Sequence, residues 1–303
     1  MRLVFAGTPE VAVPALDALV ASSHEVVAVL TRPDAPAGRG RRLTPSPVAA
    51  RAEELGIEVL KPSHPREPEF QARLRELAPD ACAVVAYGAL LPQSALDIPP
   101  HGWVNLHFSL LPRWRGAAPL QRAIMTGDDE IGTACFRIVR ELDAGDVYLM
   151  EARPMPDATA GELLASLAVS GAAQLVRAMD LVEAGVAPVP QAVDGVTVAP
   201  KITVDDARLD FDRAAGELRN LVMGCSPDPG AWCELDGQRF KVFRARVGGP
   251  EGLAPGELAA TKRELFVGTG DGALELLEVQ APGKRRMPAI DWARGGVSGK
   301  RLA

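Results

Sequence analysis

Short apolar runs alternate with amphipathic segments from the start of the chain to residue 107. The apolar runs have the length of buried strands and are rich in valine: 2–6, 25–31, 81–87 and 102–107. The segments between them carry apolar residues at helical spacing: 11–22, 48–55 and 69–77. Because strands that alternate with helices are joined by right-handed crossovers, the sequence predicts a Rossmann-like α/β domain with a mostly parallel sheet.

The first domain is expected to continue well beyond these strands. Residues 132–139 and 146–155 are strand-like runs on either side of a glycine-containing turn, which predicts a hairpin. The long amphipathic run 160–185 predicts a helix. We therefore expect the first domain to span 1–185.

A linker and a second domain are predicted for the rest of the chain. Residues 186–203 are rich in Pro, Val, Gly and Thr without periodicity, which is typical of an extended linker. Residues 204–303 contain strand-like runs joined by turns, such as the turn at Asp236-Gly237 and the one within 264–280. Short strands joined in this way predict a small β-barrel.

Composition and charge limit the classes of function. With 47% hydrophobic and 24% charged residues, the chain can bury sizeable cores. Its formal net charge of −6 argues against an indiscriminate nucleic-acid binder. One stretch is nevertheless locally basic, with a single acid among four arginines: Arg32, Asp34, Arg39, Arg41 and Arg42. This stretch is a candidate surface for phosphates.

Location and metal binding are addressed by simpler signals. The first residues fit a β-strand better than a signal peptide, and no apolar run reaches membrane-spanning length, so we expect a cytoplasmic protein. The four cysteines form no C-x-x-C motif, and the four histidines do not pair with them at zinc-finger spacing. We therefore expect buried thiols and no metal.

The stretch 104–119, VNLHFSLLPRWRGAAP, places polar residues where a buried strand ends. In a strand, Asn105 and His107 share one face and lie at the carboxyl end, where open α/β sheets bind their ligands. Burying an unpartnered amide or imidazole costs about 1–3 kcal/mol, so this pair needs internal partners or a ligand. The proline and glycine that follow force irregular backbone beside the pair, and such backbone can recognise a flat heterocycle.

A carboxylate for the same site is available in the turn at 140–146. Asp143 lies in the sequence LDAGD, and beside Asn105 and His107 it would supply the base or orienting group that acyl-group chemistry requires. Other chemistries lack their motifs. Ser109 is not in a G-x-S-x-G nucleophile elbow, and FAGTPE, after the first strand, lacks the G-x-G-x-x-G of a dinucleotide site.

Several of these motifs together resemble one family. The chain is similar along nearly its whole length to the methionyl-tRNA formyltransferases, through FAGTPE, RPDAPAGRGRRLTPSPV, VVAYGALLP, NLHFSLLPRWRGAAPLQRAI and LDAGD. Asn-x-His, SLLP and the spaced Asp are shared with other folate-dependent formyltransferases, including the glycinamide ribonucleotide enzyme. They specify the chemistry, while the PAGRGRR loop and the carboxyl-terminal domain select the tRNA-acting members.

The resemblance implies roles for individual residues. It implies a catalytic trio, formed by Asn105, His107 and Asp143. It also implies contacts to 10-formyltetrahydrofolate, the co-substrate, by two segments: Ser109, Leu110, Leu111 and Pro112 after the catalytic strand, and Tyr87, Gly88 and Leu90 within 84–92. No metal is implied.

The expected macromolecular partner is initiator methionyl-tRNA. The resemblance implies that Arg39, in an inserted loop, acts near the acceptor end of the tRNA, and that the second domain is an OB-like barrel that contacts the tRNA. By their charge, further residues are candidates for phosphate contacts: Arg41, Arg42, Arg113, Arg115, Lys284, Arg285 and Arg286. No membrane and no obligate protein partner are implied.

The chemistry expected from the resemblance is attack of an amine on a formyl carbon. Donors aimed at the resulting oxyanion contribute about 3–4 kcal/mol each, and Asn105 is such a donor. Asp143 would raise the pKa of His107, and which of these groups moves each proton stays open. Phe108 departs from the glycine of many members, but strand alternation turns it away from the catalytic face.

Three alternatives stay open from the sequence. A formyltransferase for a small amine, such as a sugar nucleotide or purine precursor, would share the chemistry and would not bind tRNA. A tRNA-binding or folate-binding protein with a silent site would bind ligands without turnover. An NAD-dependent oxidoreductase fits the fold and lacks the fingerprint.

Overall fold

The computed structural model describes residues 1–37, 42–297 and 299–303. These residues form two compact units. The first unit comprises Met1–Gly116, Gly132–Arg153 and Leu164–Val198, and the second comprises Ala117–Ile131, Pro154–Leu163 and Ala199–Ala303. The units are built from interleaved segments, and the division into domains at 185 and 204 stays a prediction.

Strands and helices are numbered in chain order. The strands are β1 (Arg2–Gly7), β2 (Glu25–Leu30), β3 (Ala35–Ala37), β4 (Arg42–Thr44), β5 (Glu58–Leu60), β6 (Ala81–Val85), β7 (Trp103–His107), β8 (Arg115–Gly116), β9 (Glu130–Arg137), β10 (Val147–Pro154), β11 (Val198–Ala199), β12 (Ala231–Leu235), β13 (Gln238–Val247), β14 (Leu258–Ala260), β15 (Leu265–Gly268), β16 (Ala273–Gln280) and β17 (Met287–Pro288). The α-helices are α1 (Val13–Val20), α2 (Pro47–Glu54), α3 (Pro68–Leu77), α4 (Gln93–Leu96), α5 (Pro119–Thr126), α6 (Ala160–Glu183), α7 (Ala215–Gly224) and α8 (Ala289–Ala293). None of the helices in these described ranges combines the length and apolar composition needed to cross a membrane.

The central sheet of the first unit is mostly parallel, with strand order β10-β9-β7-β6-β1-β2-β5. Strands β7, β6, β1, β2 and β5 pair in parallel, and β9 pairs with β7 antiparallel. The predicted α/β fold class is confirmed. Because Gly7 lies opposite Val85, and Val84 lies opposite Asn105, the carboxyl ends of β1, β6 and β7 share one edge of the sheet.

The central strands of this sheet are largely buried because the chain places apolar side chains on both faces. Residues 3–7 of β1, 28–30 of β2 and 81–85 of β6 are buried, and Phe70 and Leu74 of α3 pack in one core with members of these strands. Helix α2 is capped by Ser46, whose hydroxyl accepts a hydrogen bond from the Ala49 N–H at 3.0 Å. The same hydroxyl lies 2.7 Å from Thr31 Oγ1, directly after β2, which fixes the start of α2.

A small hairpin, β3 and β4, carries the basic stretch. Ala35 pairs with Thr44 and Pro36 pairs with Leu43 in an antiparallel register. Sequence patterning gave no strand here, because three-residue strands have no measurable periodicity. Residues 38–41, which include Arg39 and Arg41, lie outside the described residues.

The second unit contains an antiparallel sheet with strand order β12-β13-β16-β15-β14, and β17 pairs with β16. Asp236 and Gly237 have φ values of 52° and 72°, as the predicted two-residue turn between β12 and β13 requires. Isolated bridges join Leu235 to Leu302 and Glu257 to Arg301, so the end of the chain pairs with segments at both sheet edges. An OB-like closed barrel stays a prediction.

Candidate active site

His107 is fixed at the carboxyl end of β7. Its side chain is buried, and Nε2 donates a hydrogen bond to the Trp114 carbonyl at 2.8 Å. Because a carbonyl only accepts, this contact places the proton of the neutral ring on Nε2. The ring also packs edge-on against Phe136 of β9, with 6.1 Å between centroids and an interplanar angle of 89°. The second nitrogen, Nδ1, carries the lone pair in this tautomer.

Asp143 lies on the other side of the same imidazole. Its Oδ2 is 3.9 Å from His107 Nδ1 and accepts the Gly116 N–H at 2.7 Å. The side chain is 15% exposed, so the carboxylate is shielded and still reachable. The structure thus brings together two residues that the sequence placed far apart in the chain.

The turn that carries Asp143 is tight for two reasons. Asp143 itself has a φ of 48°, which is uncommon for a residue with a side chain and best tolerated by Asp and Asn. A Cβ on Gly145 would lie 1.7 Å from the Arg137 carbonyl oxygen, so only glycine fits there. The turn between β9 and β10 is therefore closed against the end of β9.

Burial lowers the pKa of His107 below its usual value. The nearby Asp143 carboxylate and the hydrogen bond to the Trp114 carbonyl oppose this shift without reversing it. The sequence predicted that the Asp143 charge raises the pKa of His107. It did not predict burial, which lowers the pKa and has the larger effect. Desolvation is the largest cause because β9 and the 108–116 loop enclose the ring, and it favours the neutral imidazole.

Asn105 lies two residues before His107 on β7, between Val84 of β6 and Phe136 of β9. It is only partly buried, in contrast to the residues on either side of it. Within the ranges that the structure describes, its side-chain amide has no hydrogen-bond partner, and the N–H groups are thus available to a ligand.

The loop after β7 is held from within. Ser109 is buried and its hydroxyl donates to the Arg113 carbonyl at 2.7 Å, while Leu111 packs with Ala134 and Phe136 of β9. Leu110 approaches β9 at Gly132, where a Cβ would lie 2.4 Å from Leu110 Cδ2. These three residues and Pro112 shape the loop, and their predicted contact with folate stays a prediction.

The loop after β6 begins at the same edge of the sheet as the loop after β7, because the two strands pair in parallel. Tyr87 is buried, and its backbone carbonyl accepts a hydrogen bond from Thr8 Oγ1 at 2.7 Å. Burial raises the pKa of Tyr87, and Arg32 opposes the shift. Gly88 has a φ of 84°, and the Leu90 side chain is 79% exposed. Tyr87 thus anchors the loop. Leu90 is the most exposed side chain among the folate contacts predicted in this loop.

The candidate tRNA contacts in the first unit have different surroundings. Arg39 and Arg41 lie outside the described residues, and Arg42 is exposed on β4. Arg113 is exposed, with its guanidinium 5.5 Å from the Trp114 ring centroid. By contrast, the Arg115 side chain is only 13% exposed. Its guanidinium donates hydrogen bonds to Gln191 Oε1 and forms an ion pair with Glu141 at 3.5 Å. Its contact with tRNA stays a prediction.

The candidate contacts in the second unit follow β16. Lys284 and Arg285 are exposed. Arg286 forms a bidentate ion pair with Glu278, and its guanidinium carbon lies 4.4 Å from the Phe243 ring centroid. Because its charge is compensated, Arg286 is a weaker candidate for phosphate than its two neighbours.

Two residues of the segment predicted as a linker were missed as parts of this site. Gln191 and Thr197 hydrogen bond to the loops that carry Asp143 and Trp114. They stand in a stretch without periodicity, and contacts to backbone far away in the chain leave no local pattern. The signal that could have found them is a polar side chain in an otherwise apolar, proline-rich segment.

One group of possible metal ligands occurs among the described residues, away from this site. His24, Asp180 and Glu183 each offer an atom within 4.8 Å of the others. The Met1 ammonium contacts Glu183 at 2.9 Å and lies 3.3 Å from His24 Nδ1. Since that ammonium already supplies a positive charge, the group is explained without a metal.

Comparison with known proteins decides the family. Residues 1–179 match the family model described as formyl transferase, and residues 201–296 match the model of the formyl transferase carboxyl-terminal domain. The chain belongs to the formyl transferase family. The resemblance inferred from the sequence motifs is confirmed. An amide, an imidazole and a carboxylate at a sheet edge would suit the chemistry of this family.

Similar proteins within this family carry a more specific name. A methionyl-tRNA formyltransferase from Streptomyces coelicolor is 60% identical over 97% of this chain and 96% of its own, and one from a Nocardioides species is 59% identical over 97% and 95%. Among solved structures, a variant of HypX from Aquifex aeolicus has a TM-score of 0.70 at 21% identity, covering 100% of this chain and 49% of that one. That likeness shows the shared fold.

Proposed function

We propose that this protein transfers the formyl group of 10-formyltetrahydrofolate to the α-amino group of methionyl initiator tRNA. The observation that carries the proposal is the 60% identity over 97% of the chain to a protein named methionyl-tRNA formyltransferase. The geometry at the end of β7 supports the chemistry, because it supplies a hydrogen-bond donor and a proton acceptor side by side.

Asn105 stabilises the transition state. Attack of the amine nitrogen on the formyl carbon forms a C–N bond and places negative charge on the formyl oxygen. The Asn105 amide, which no described residue engages, donates a hydrogen bond to this oxygen. A fixed donor of this kind contributes about 3–4 kcal/mol to the transition state.

The His107–Asp143 pair moves the proton. The attacking amine loses a proton to His107 Nδ1, whose lone pair the Nε2 contact with Trp114 leaves available. The Asp143 carboxylate, 3.9 Å from Nδ1, stabilises the imidazolium that results. The pair then returns the proton to the folate nitrogen as the bond from that nitrogen to the formyl carbon breaks.

Binding is assigned to the loops around this pair. Folate lies against the 108–116 and 86–92 loops, and the exposed Leu90 covers it. The tRNA contacts Arg42 on β4, the neighbouring Arg39 and Arg41 of the basic stretch, and the basic cluster of Lys284 and Arg285. No step needs a metal. We also infer a cytoplasmic location, where charged initiator tRNA is used.

The test follows labelled formyl from 10-formyltetrahydrofolate into competing acceptors. Methionyl initiator tRNA, free methionine, an amino-sugar nucleotide and glycinamide ribonucleotide are offered to the purified protein, and label is expected in the tRNA alone. Label in a small amine would show that this amine, and not the tRNA, is the acceptor. Binding of folate and tRNA without turnover would instead support a silent binding protein.

A further inference from the structure

We propose that the segment 189–197 positions the His107–Asp143 pair, with Gln191 and Thr197 as positioning residues. This inference rests on the proposed function, since it concerns the same site. The two side chains hold the two groups that flank the imidazole: Asp143 on the Nδ1 side, and the Trp114 carbonyl on the Nε2 side.

Gln191 holds the Asp143 turn. Its Nε2 donates to the carbonyls of Asp143 and Gly145, both at 2.8 Å, and its Oε1 accepts from Arg115 Nη2 at 2.8 Å and Nε at 3.2 Å. Both N–H groups and both acceptor positions of the amide are thus used. A glutamate at this position keeps the acceptors and loses the two donors.

This arrangement matters because the Asp143 backbone is in the left-handed region, at φ 48°. Such a conformation persists only where surrounding contacts enforce it. The carboxylate also accepts the Gly116 N–H, and Gly116 follows Arg115, which Gln191 binds as well. Gln191 therefore fixes Asp143 and the chain that donates to its carboxylate.

Thr197 holds the opposite flank. Its hydroxyl accepts the Trp114 N–H at 2.8 Å, and its carbonyl accepts the Arg115 N–H at 2.9 Å. Trp114 also has a positive φ, 61°, and its carbonyl is the acceptor for His107 Nε2. Thr197 thus fixes the residue that sets the tautomer of the histidine.

The segment 189–197 is itself anchored beside the turn that carries Asp143. Val189 and Val147 exchange backbone hydrogen bonds of 2.8 and 2.9 Å at the start of β10. Residues 189–197 are therefore attached at Val147, Asp143 and Trp114, and they brace the loops around His107.

The test compares Gln191→Glu and Thr197→Val with wild type, using Thr197→Ser and Asp194→Asn as controls. Thr197→Val removes the hydroxyl at nearly constant shape, Thr197→Ser retains it, and Asp194 is an exposed residue of the same segment. Because small displacements of a catalytic group cost up to about a hundredfold, we expect kcat to fall about tenfold to a hundredfold in the first two variants. KM for tRNA should change little, and both controls should match wild type. Because the lost hydrogen bonds also lower the thermal midpoint, kcat is compared per folded protein.

A second readout does not depend on turnover. Nitrogen-15 spectra of the imidazoles report the tautomer and pKa of His107, with the signal assigned by its loss in His107→Gln. We expect Thr197→Val to lower the Nε2–H population and to alter the titration of this signal, while Thr197→Ser leaves both unchanged.

These readouts separate the two proposals. Wild-type protein that fails to formylate tRNA, with the His107 signal perturbed in Thr197→Val, would contradict the function and support the positioning role. Wild-type protein that is active, with kcat and the His107 signal unchanged in Gln191→Glu and Thr197→Val, would overturn the positioning role. A loss of kcat explained wholly by a lower fraction of folded protein would overturn it too.

Discussion

His107 has a hydrogen-bond acceptor on one ring nitrogen and a carboxylate near the other, within a buried setting. The Trp114 carbonyl takes the Nε2 proton at 2.8 Å, and Asp143 lies 3.9 Å from Nδ1. Burial favours the neutral ring, while the carboxylate favours the charged one. The site therefore combines a setting that favours the neutral imidazole with a carboxylate that favours the protonated form.

The lowered pKa of His107 makes stability depend on pH in a defined window. In the unfolded chain His107 titrates near its ordinary value of about 6.5, so below that pH the unfolded state binds more protons than the folded one. The stabilisation is present above that value and is lost as the pH falls toward the folded-state pKa. We expect wild type to lose more thermal stability than His107→Gln between pH 7.5 and pH 5.5. Parallel melting curves for the two proteins at both pH values would contradict this.

Substitutions at Asp143 can test the effect of its charge separately from the effect of its backbone conformation. Asparagine tolerates a positive φ and keeps the acceptor for the Gly116 N–H, so Asp143→Asn should retain the turn and lose the charge that stabilises the imidazolium. We expect a loss in kcat of about a hundredfold or more, with the thermal midpoint close to wild type. Asp143→Ala, with the same φ and no acceptor, should lose stability as well. Equal kcat in wild type and Asp143→Asn would remove the residue from the mechanism.

At the residue scale, sequence could predict that Asp143 lies close to His107 and could not predict the surroundings of the two residues. Strand alternation and the position at the end of β7 were enough to select Asn105 and His107. The direction of the His107 pKa shift depends on how completely β9 and the 108–116 loop enclose the ring. Gln191 and Thr197 act through backbone groups distant in the chain, which no local pattern encodes.

The β9–β10 hairpin is the element that delivers Asp143, and its closure depends on Gly145. In Gly145→Ala the new Cβ would meet the Arg137 carbonyl, so the turn must open. We expect a loss of about 1–3 kcal/mol in the free energy of unfolding, together with lower kcat as Asp143 moves away from His107.

Gly216 is the matched control for this substitution. It lies in α7, its φ is ordinary, and a Cβ added there would meet no atom within 4 Å. Gly216→Ala should therefore be neutral or stabilising by up to about 1 kcal/mol, since alanine favours a helix. If urea unfolding gave the same change for both variants, the close approach at Gly145 would not be what shapes the turn.

Elements with clear periodicity were predicted, and short or context-dependent ones were not. Strands β1, β2, β6 and β7 and helix α6 follow the expected segments closely, because long apolar runs and helical spacing determine them. Helices α5 and α7 were not predicted. Both pack against each other in the second unit, so tertiary contact supports them more than their local pattern does.

For the whole molecule, the predicted tRNA contacts follow from local charge, since the net charge of −6 does not favour binding. Lys284 and Arg285 are exposed, whereas Arg286 is paired with Glu278. We expect Lys284→Ala and Arg285→Ala to weaken tRNA binding and to reduce the slope of its salt dependence by about 0.7–0.9 for each phosphate that is no longer neutralised. Folate binding should be unchanged. Arg286→Ala should change the salt slope less, and the reverse order would contradict this assignment of the cluster.

At the same scale, fold class and family were predictable from sequence, and the division into domains at 185 and 204 stays a prediction. The units interleave along the chain, because 117–131 and 154–163 belong with the carboxyl-terminal residues. Within the segment predicted as a linker, Gln191 and Thr197 hydrogen bond to the loops that carry Asp143 and Trp114.

The most direct measurement of the central claim is the single-turnover rate of formyl transfer to methionyl initiator tRNA by wild type and Asn105→Ala. If Asn105 donates to the oxyanion, the variant should be slower by about a hundredfold to a thousandfold, with folate and tRNA dissociation constants close to wild type. An equal rate in the two proteins, or no transfer by wild type with both ligands bound, would contradict the claim that this site transfers the formyl group.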